Sequence, residues 1–172
     1  NAANRACLDK AEIVNGRVHV SGWHATDLSE VATNHFLILH DDTRNQDVTS
    51  ILLPDSVSRL DVARVYPNIK TAANSGFDAT FDQVMLTPGD HYTLISRYST
   101  SADGNGSRGA KADCRMVINS LFNINTMNAG NVDSVVVNNG SVTVSGWNAT
   151  DYSLLANNHY LILFDTTTNR QV

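Results

Sequence analysis

Apolar residues in this chain recur mostly at every second position, in runs of four to seven broken by Asn, Asp, Gly and Pro. Along Arg17 to Trp23 the alternation places Val18, Val20 and Gly22 on one face and His19, Ser21 and Trp23 on the other, as a pleated strand requires. The same reading predicts strands at Ala11 to Val14, Arg17 to Trp23, His35 to His40, Asp47 to Leu53, Phe77 to Asp82, Tyr92 to Tyr98 and Ala112 to Ile118. Asn15-Gly16 joins the first two and has the chemistry of a type I′ hairpin turn. One stretch departs from period two: Leu60, Val62 and Val65 fit one or two helical turns, with Ser58 as N-cap and Pro67 as the stop.

Seven short strands with frequent turns predict an all-β, immunoglobulin/fibronectin III-like β-sandwich. The stretch Leu86 to Leu94 sharpens this expectation. A Pro88-Gly89 turn followed by Tyr92 has the form of a tyrosine corner, in which the phenol bonds back to upstream backbone.

The chain is internally repetitive. Residues 8–48 match residues 132–172 without a gap at an offset of 124, with 22 of 41 pairs identical. The identities include Gly22/Gly146, Trp23/Trp147, Asp27/Asp151 and His35/His159, and the turn recurs as Asn139-Gly140. With that period, residues 1–130 form one complete module and residues 131–172 supply only the first strands of a second, homologous one. The expectation is a piece of a tandem array whose second copy packs on the first, borrows strands from another chain, or is completed in a longer parent.

Composition narrows the function. Of 172 residues, 42% are hydrophobic and 17% charged, which fits a folded domain and not a disordered segment. The missing charge is replaced by 19 Asn, 15 Ser and 15 Thr, against three Lys, a profile that favours strands and turns over exposed helices. A net charge of −5 and the absence of a Lys/Arg cluster argue against nucleic acid as a partner. Apolar runs are too short for a membrane span.

Cys7 precedes the first predicted strand and Cys114 lies in the last. In a sandwich the two would lie near each other, so either a disulfide closing a loop of about 107 residues or two free thiols is expected.

Catalytic chemistry finds no residues to stand on: no nucleophile elbow, P-loop, dinucleotide fingerprint or metalloprotease motif is present. Neither a cofactor nor a metal site is expected. Asp103 to Ser107 begins like a calcium loop but runs on to Arg108 and Lys111, so a solvated turn is expected instead. The candidate ligand-binding residues are Trp23, Asp27 and His35 with their counterparts Trp147, Asp151 and His159. Trp23 on the polar face would stack a pyranose ring, unless Gly22 marks a bulge that turns it into the core. Asp27 would accept sugar hydroxyls or cap its turn through an Asx bond. His35 would be a ligand group or a structural hydrogen-bonder.

The segments SGWHATD, NHFLILHD, SRLDVARVYPNIKTAANSGFDATFD and LISRYS, in that order, resemble the tandem "SGWHAT" repeats of lactic acid bacterial surface proteins and secreted cell-wall hydrolases. The resemblance spans nearly all of the first module and all of the second. It implies an extracellular, non-catalytic module that binds cell-wall glycan or exopolysaccharide, with neighbouring repeat modules as further partners. The competing readings are a structural stalk and an adhesin contacting a host protein or glycan. One departure is the last strand, Cys114 to Ile118, where the family carries aromatic residues.

Overall fold

The computed structural model describes residues 3–82, 84, 86–87, 89–105, 111–118, 127–156 and 158–172. Among these residues it is all-β and antiparallel, with one short α-helix and three 3₁₀ turns. The first copy comprises β1 (Asn4–Val14), β2 (Arg17–Thr26), β3 (Asn34–Asp41), β4 (Gln46–Leu52), α1 (Leu60–Val65), β5 (Gly76–Phe81), β6 (Tyr92–Ser99) and β7 (Lys111–Val117). They form a three-stranded sheet, β1-β2-β5, and a four-stranded sheet, β4-β3-β6-β7.

Both sheets feed one core. Val18, Val20, Phe77 and Phe81 project from the first, Leu37, Leu39, Leu94 and Met116 from the second, and all are buried. The predicted alternation along β2 holds as far as His24, after which Ala25 and Thr26 are buried as well. At the turn, Asn15 and Gly16 have φ of 50° and 72°, and Asn139 and Gly140 have 47° and 78°, the paired left-handed conformation that a type I′ turn requires. A second repeated left-handed Asn, Asn45 and Asn169, closes the turn after β3 and its counterpart. There Asp41 is buried and accepts bonds from the Arg44 N–H (3.0 Å) and guanidinium (3.1 Å). Burial pushes its carboxyl up, but these bonds and the Thr43 N–H outweigh it and leave the pKa lowered.

Gly22 does not carry a bulge. The bulge lies across from it, at Asp9 between Leu8 and Lys10 of β1, and aims Asp9 at the Arg59 guanidinium (2.5 Å). Gly22 is required for space: a Cβ there would lie 2.3 Å from the Cys7 carbonyl oxygen and 2.7 Å from the Phe77 ring. Trp23 consequently keeps its outward direction and does not enter the main core. It is covered all the same, because residues 57–75 fold over the outer face of β2 and bury Ala25, Val62, Ile69 and Ala72 in a second cluster against which Trp23 packs. The α-helix there has the expected length of one to two turns but starts one residue later than expected. Its N-cap is Arg59, with no side-chain cap bond, so Ser58 does not cap it; the Arg59 N–H bonds the Ala73 carbonyl instead (2.7 Å).

Cys7 and Cys114 are free thiols. Strand parity explains this outcome: Cys7 points outward between the partly buried Ala6 and Leu8, whereas Cys114 shares the inward face of Met116 and Ile118. Burial pushes the Cys114 thiol up.

The second copy repeats the first hairpin and its 3₁₀ turn, but not the full length of β3. β8 (Asn128–Asn138) and β9 (Ser141–Thr150) pair with the same one-residue bulge, here at Asp133, and β10 (Phe164–Asp165) pairs with β11 (Arg170–Gln171). The match extends upstream of the sequence alignment, since Asn128 stands opposite Thr150 as Asn4 stands opposite Thr26. Its inner-face residues Val132, Val137, Val142 and Val144 are 60, 71, 47 and 39% exposed, so residues 131–172 do not close a core of their own among the described residues. Among the described residues no helix is long and apolar enough to cross a membrane.

The Gly22 geometry yields a direct expectation. Gly22→Ala forces a methyl against a backbone carbonyl that a regular strand cannot move, and should lower stability by about 3 kcal/mol; a urea unfolding curve with an unchanged midpoint would contradict the packing described.

Candidate functional site

Two histidines that the alternation places on facing strands meet inside the first copy. His24 on β2 and His35 on β3 are 0 and 6% exposed, and Ser96 of β6, also buried, lies between them. Ser96 Oγ is 2.9 Å from His24 Nδ1 and 2.7 Å from His35 Nε2. His24 Nε2 is 2.7 Å from Asn4 Oδ1, and the Asn4 amide donates to the Asp113 carbonyl (3.0 Å).

These contacts fix every proton. Because Asn4 spends its NH₂ on Asp113, its Oδ1 can only accept, so His24 carries its hydrogen on Nε2 and accepts at Nδ1. Ser96 therefore donates to His24 and accepts from His35 Nε2–H. Burial lowers the His24 pKa to about 4, opposed by the charge of Asp113. Burial, with a smaller contribution from His24, lowers that of His35 to about 3. Both rings are neutral at pH 7, and for His24, which accepts at Nδ1, the bonding pattern demands it. In the second copy Asn148 replaces His24, and its amide bonds Asn128 at 2.7 Å, so the cross-strand bridge persists with a different side chain.

His35 also stacks on Tyr98, with centroids 4.1 Å apart and planes at 17°, and meets Phe77 edge-on at 6.1 Å. Burial raises the Tyr98 phenol to about 12, which keeps it a hydrogen-bond donor. His35 and Tyr98 form the inner wall of an open cleft of about 370 Å³ whose rim is mostly polar, with Ser29, Thr33, Asp55, Ser56, Thr71 and Asn74 beside the apolar Leu53 and Pro54. The rim is assembled from three loops, the 3₁₀ turn Asp27–Glu30, the β4–α1 connection and the 3₁₀ turn Ala72–Asn74. Ser29 and Thr71 hydroxyls lie 2.6 Å apart and both reach the Thr26 carbonyl, at 2.7 and 3.1 Å. That joint holds two of the loops in register.

The structure places the sequence-predicted residues apart. Of the first-copy candidates only His35 borders this cleft. Trp23 is half-buried with its ring 5.6 Å from that of Tyr66. Asp27 is exposed as the first residue of its 3₁₀ turn. The cap there is Thr26, whose hydroxyl accepts from the Leu28 N–H (3.4 Å), so Asp27 does not serve as the Asx cap; Thr150 plays the same part ahead of Asp151, for Tyr152 N–H at 3.3 Å. Trp147 and His159 border one open cleft of about 430 Å³ with Val132 and Val144, which is the inner face that the first copy uses as core. Tyr92 Oη accepts from the Thr87 N–H at 2.8 Å. Sequence reasoning missed Ser96, Tyr98 and the hydroxyl rim, which no local pattern in the sequence sets apart.

Asp103 organises its own turn, accepting from Ser101 and from the Asn105 N–H (2.9 Å). Among the described residues no group of three or more His, Cys, Asp or Glu could hold a metal ion.

Two expectations follow from the histidines and tryptophans. Unfolded histidine titrates near 6.5, so as pH falls below that value the unfolded chain takes up two protons that the folded chain refuses until about pH 4 and about pH 3. Stability is therefore full above about pH 6.5 and is lost below it, by up to about 1.4 kcal/mol per pH unit for each ring. Urea midpoints between about pH 6.5 and pH 5 should fall accordingly, and His24→Asn, which keeps the Asn4 bridge, should remove about half of the slope. Separately, Trp147 is 54% exposed whereas Trp23 is covered, so iodide should quench the W23F chain more strongly than the W147F chain.

No family model, curated protein or solved structure matches the chain.

Proposed function

We propose that this chain is a non-catalytic, extracellular segment of a tandem array, built on an immunoglobulin/fibronectin III-like sandwich, that binds an uncharged region of cell-wall polymer or polysaccharide. The observation that carries this reading is the cleft beside His35 and Tyr98. Its rim offers four hydroxyls, one carboxylate and one amide, and its inner wall offers a neutral imidazole and a protonated phenol. Such a set matches the alternating donors and acceptors of a saccharide, and it lacks the cationic groups that an anionic ligand would need. The strand order β1-β2-β5 against β4-β3-β6-β7 and the Tyr92–Thr87 bond support the sandwich class. The resemblance to SGWHAT-type repeats supports the extracellular placement.

A site this open binds weakly per copy, and an array strengthens it through effective concentration. A spacer role is compatible with the same architecture, favoured by the backbone contact between the two copies, Gly16 N–H to the Leu154 carbonyl at 2.9 Å. Purified bacterial walls separate the two. The chain should be retained on walls, and Asp55→Ala with Asn74→Ala, both exposed rim residues, should weaken retention about tenfold through the loss of two hydrogen bonds while leaving the thermal midpoint unchanged. Equal recovery of both proteins in the unbound fraction would overturn the binding reading and leave the spacer.

A further inference from the structure

Among the described residues, the backbone hydrogen bond between the copies is built from parts that the chain carries twice. On one side is the hairpin turn of the first copy. Gly16 donates its N–H to the Leu154 carbonyl at 2.9 Å, while its own carbonyl accepts from the Val84 N–H at 3.0 Å. On the other side is the 3₁₀ turn Asp151–Leu154 and the residue that ends it, Leu155, which packs against the main core of the first copy. Gly16 suits this contact twice over: its φ of 72° excludes most side chains, and a Cβ would come within 3.1 Å of the Leu155 carbonyl oxygen.

Each half has a twin in the other copy, the second turn carrying the same Asn-Gly pair without the closed core that backs the first. The 3₁₀ turn Asp27–Glu30 is built like its counterpart: Ser29 and Ser153 donate to the Thr26 and Thr150 carbonyls at 2.7 and 2.8 Å. Ala32 and Ala156 close the turns onto the Leu28 and Tyr152 carbonyls at 2.8 and 3.0 Å. Yet Val31, the equivalent of the seated Leu155, is 65% exposed. The second hairpin turn has the same left-handed pair, Asn139 and Gly140, but among the described residues nothing beyond its chain neighbours lies within 4 Å of the Cβ position of Gly140. An apolar residue and a glycine turn are thus occupied where a neighbouring copy is present and open where it is not.

We propose that the Asn-Gly turn of each copy is a socket for the 3₁₀ turn and following apolar residue of the next, so that copies stack end to end with a repeat of 124 residues. The occupant of the Asn139-Gly140 socket is another copy of this module, presenting the Val31 side of its own 3₁₀ turn. The interface is heterologous and does not close on itself. It holds whatever the cleft binds.

Short linkers give tethered copies millimolar effective concentrations, so the contact needs only millimolar affinity and is best read by NMR on the whole chain. In the unaltered protein the Gly16 amide should exchange at least about tenfold more slowly than the Gly140 amide. Leu155→Asp should bring the two rates together. When unlabelled chain is added to labelled chain at concentrations on the order of 1 mM, the Gly140 and Val31 signals should shift together while Gly16 stays fixed. Val31→Asp in both partners should abolish those shifts and leave Gly16 protected. Equal exchange at Gly16 and Gly140 in the unaltered chain would overturn the contact itself. Protection of Gly16 with no shift at Gly140 and Val31 would overturn its extension to further copies.

Discussion

The ring of Phe77 occupies the space that a side chain at position 22 would fill, and much of the first copy is arranged around that fact. With Gly22 opposite Leu8 on one side and Phe77 on the other, β1, β2 and β5 can approach closely while a large ring lies over the middle strand. The edge of that ring then meets His35. His35 is held from the other side by Tyr98 and from its tip by Ser96, so its plane is set by three contacts. The inner wall of the cleft is thus an outcome of core packing, and the rim loops only complete it. Binding geometry that rests on strands in this way is better fixed than geometry that rests on loops alone.

The buried histidines also show how a polar network survives in an apolar interior. Neutral imidazoles avoid the cost of a buried charge, and each buried nitrogen bonded to Ser96 is matched with a group of the right donor or acceptor character. The second copy reaches the same end with Asn148 on Asn128. A loss of identity at position 24 between the copies is therefore no loss of role.

This explains what the sequence did and did not disclose. Strand positions and the two Asn-Gly turns were legible because they depend on alternation and on local turn chemistry, whereas the direction of Trp23 stayed open between the polar face and the core until the bulge was located on β1. The cover over Trp23 was not legible, since it depends on where residues 57–75 pack, and the Arg59–Asp9 pair that anchors them joins residues fifty positions apart. Gly22 was legible as special but not in its reason, because a bulge on the strand and a bulge on its partner leave the same glycine in the sequence. The cleft was hidden for a related cause: its rim is drawn from Ser and Thr residues, which are common throughout this chain and carry no mark of convergence until three loops bring them together.

The second copy turns the dependence on neighbours into a design rule. β3 is an eight-residue strand because it pairs with β4 on one edge and β6 on the other. Its counterpart is reduced to the two residues of β10, although Leu161, Ile162 and Leu163 repeat Leu37, Ile38 and Leu39. The same apolar run is a central strand in one place and unassigned in the other, so its conformation is set by pairing and not by intrinsic preference. The 3₁₀ turn behaves differently: with its Thr cap and Ser back-bond it forms in both copies, with or without a finished sheet behind it. An element that is complete on its own is well suited to be the part that one module offers to another. That element also carries Ser29 at the cleft rim, so under the proposed stacking and binding the end that seats a neighbour would also be the end that meets a ligand, and the junction would set the spacing of the clefts.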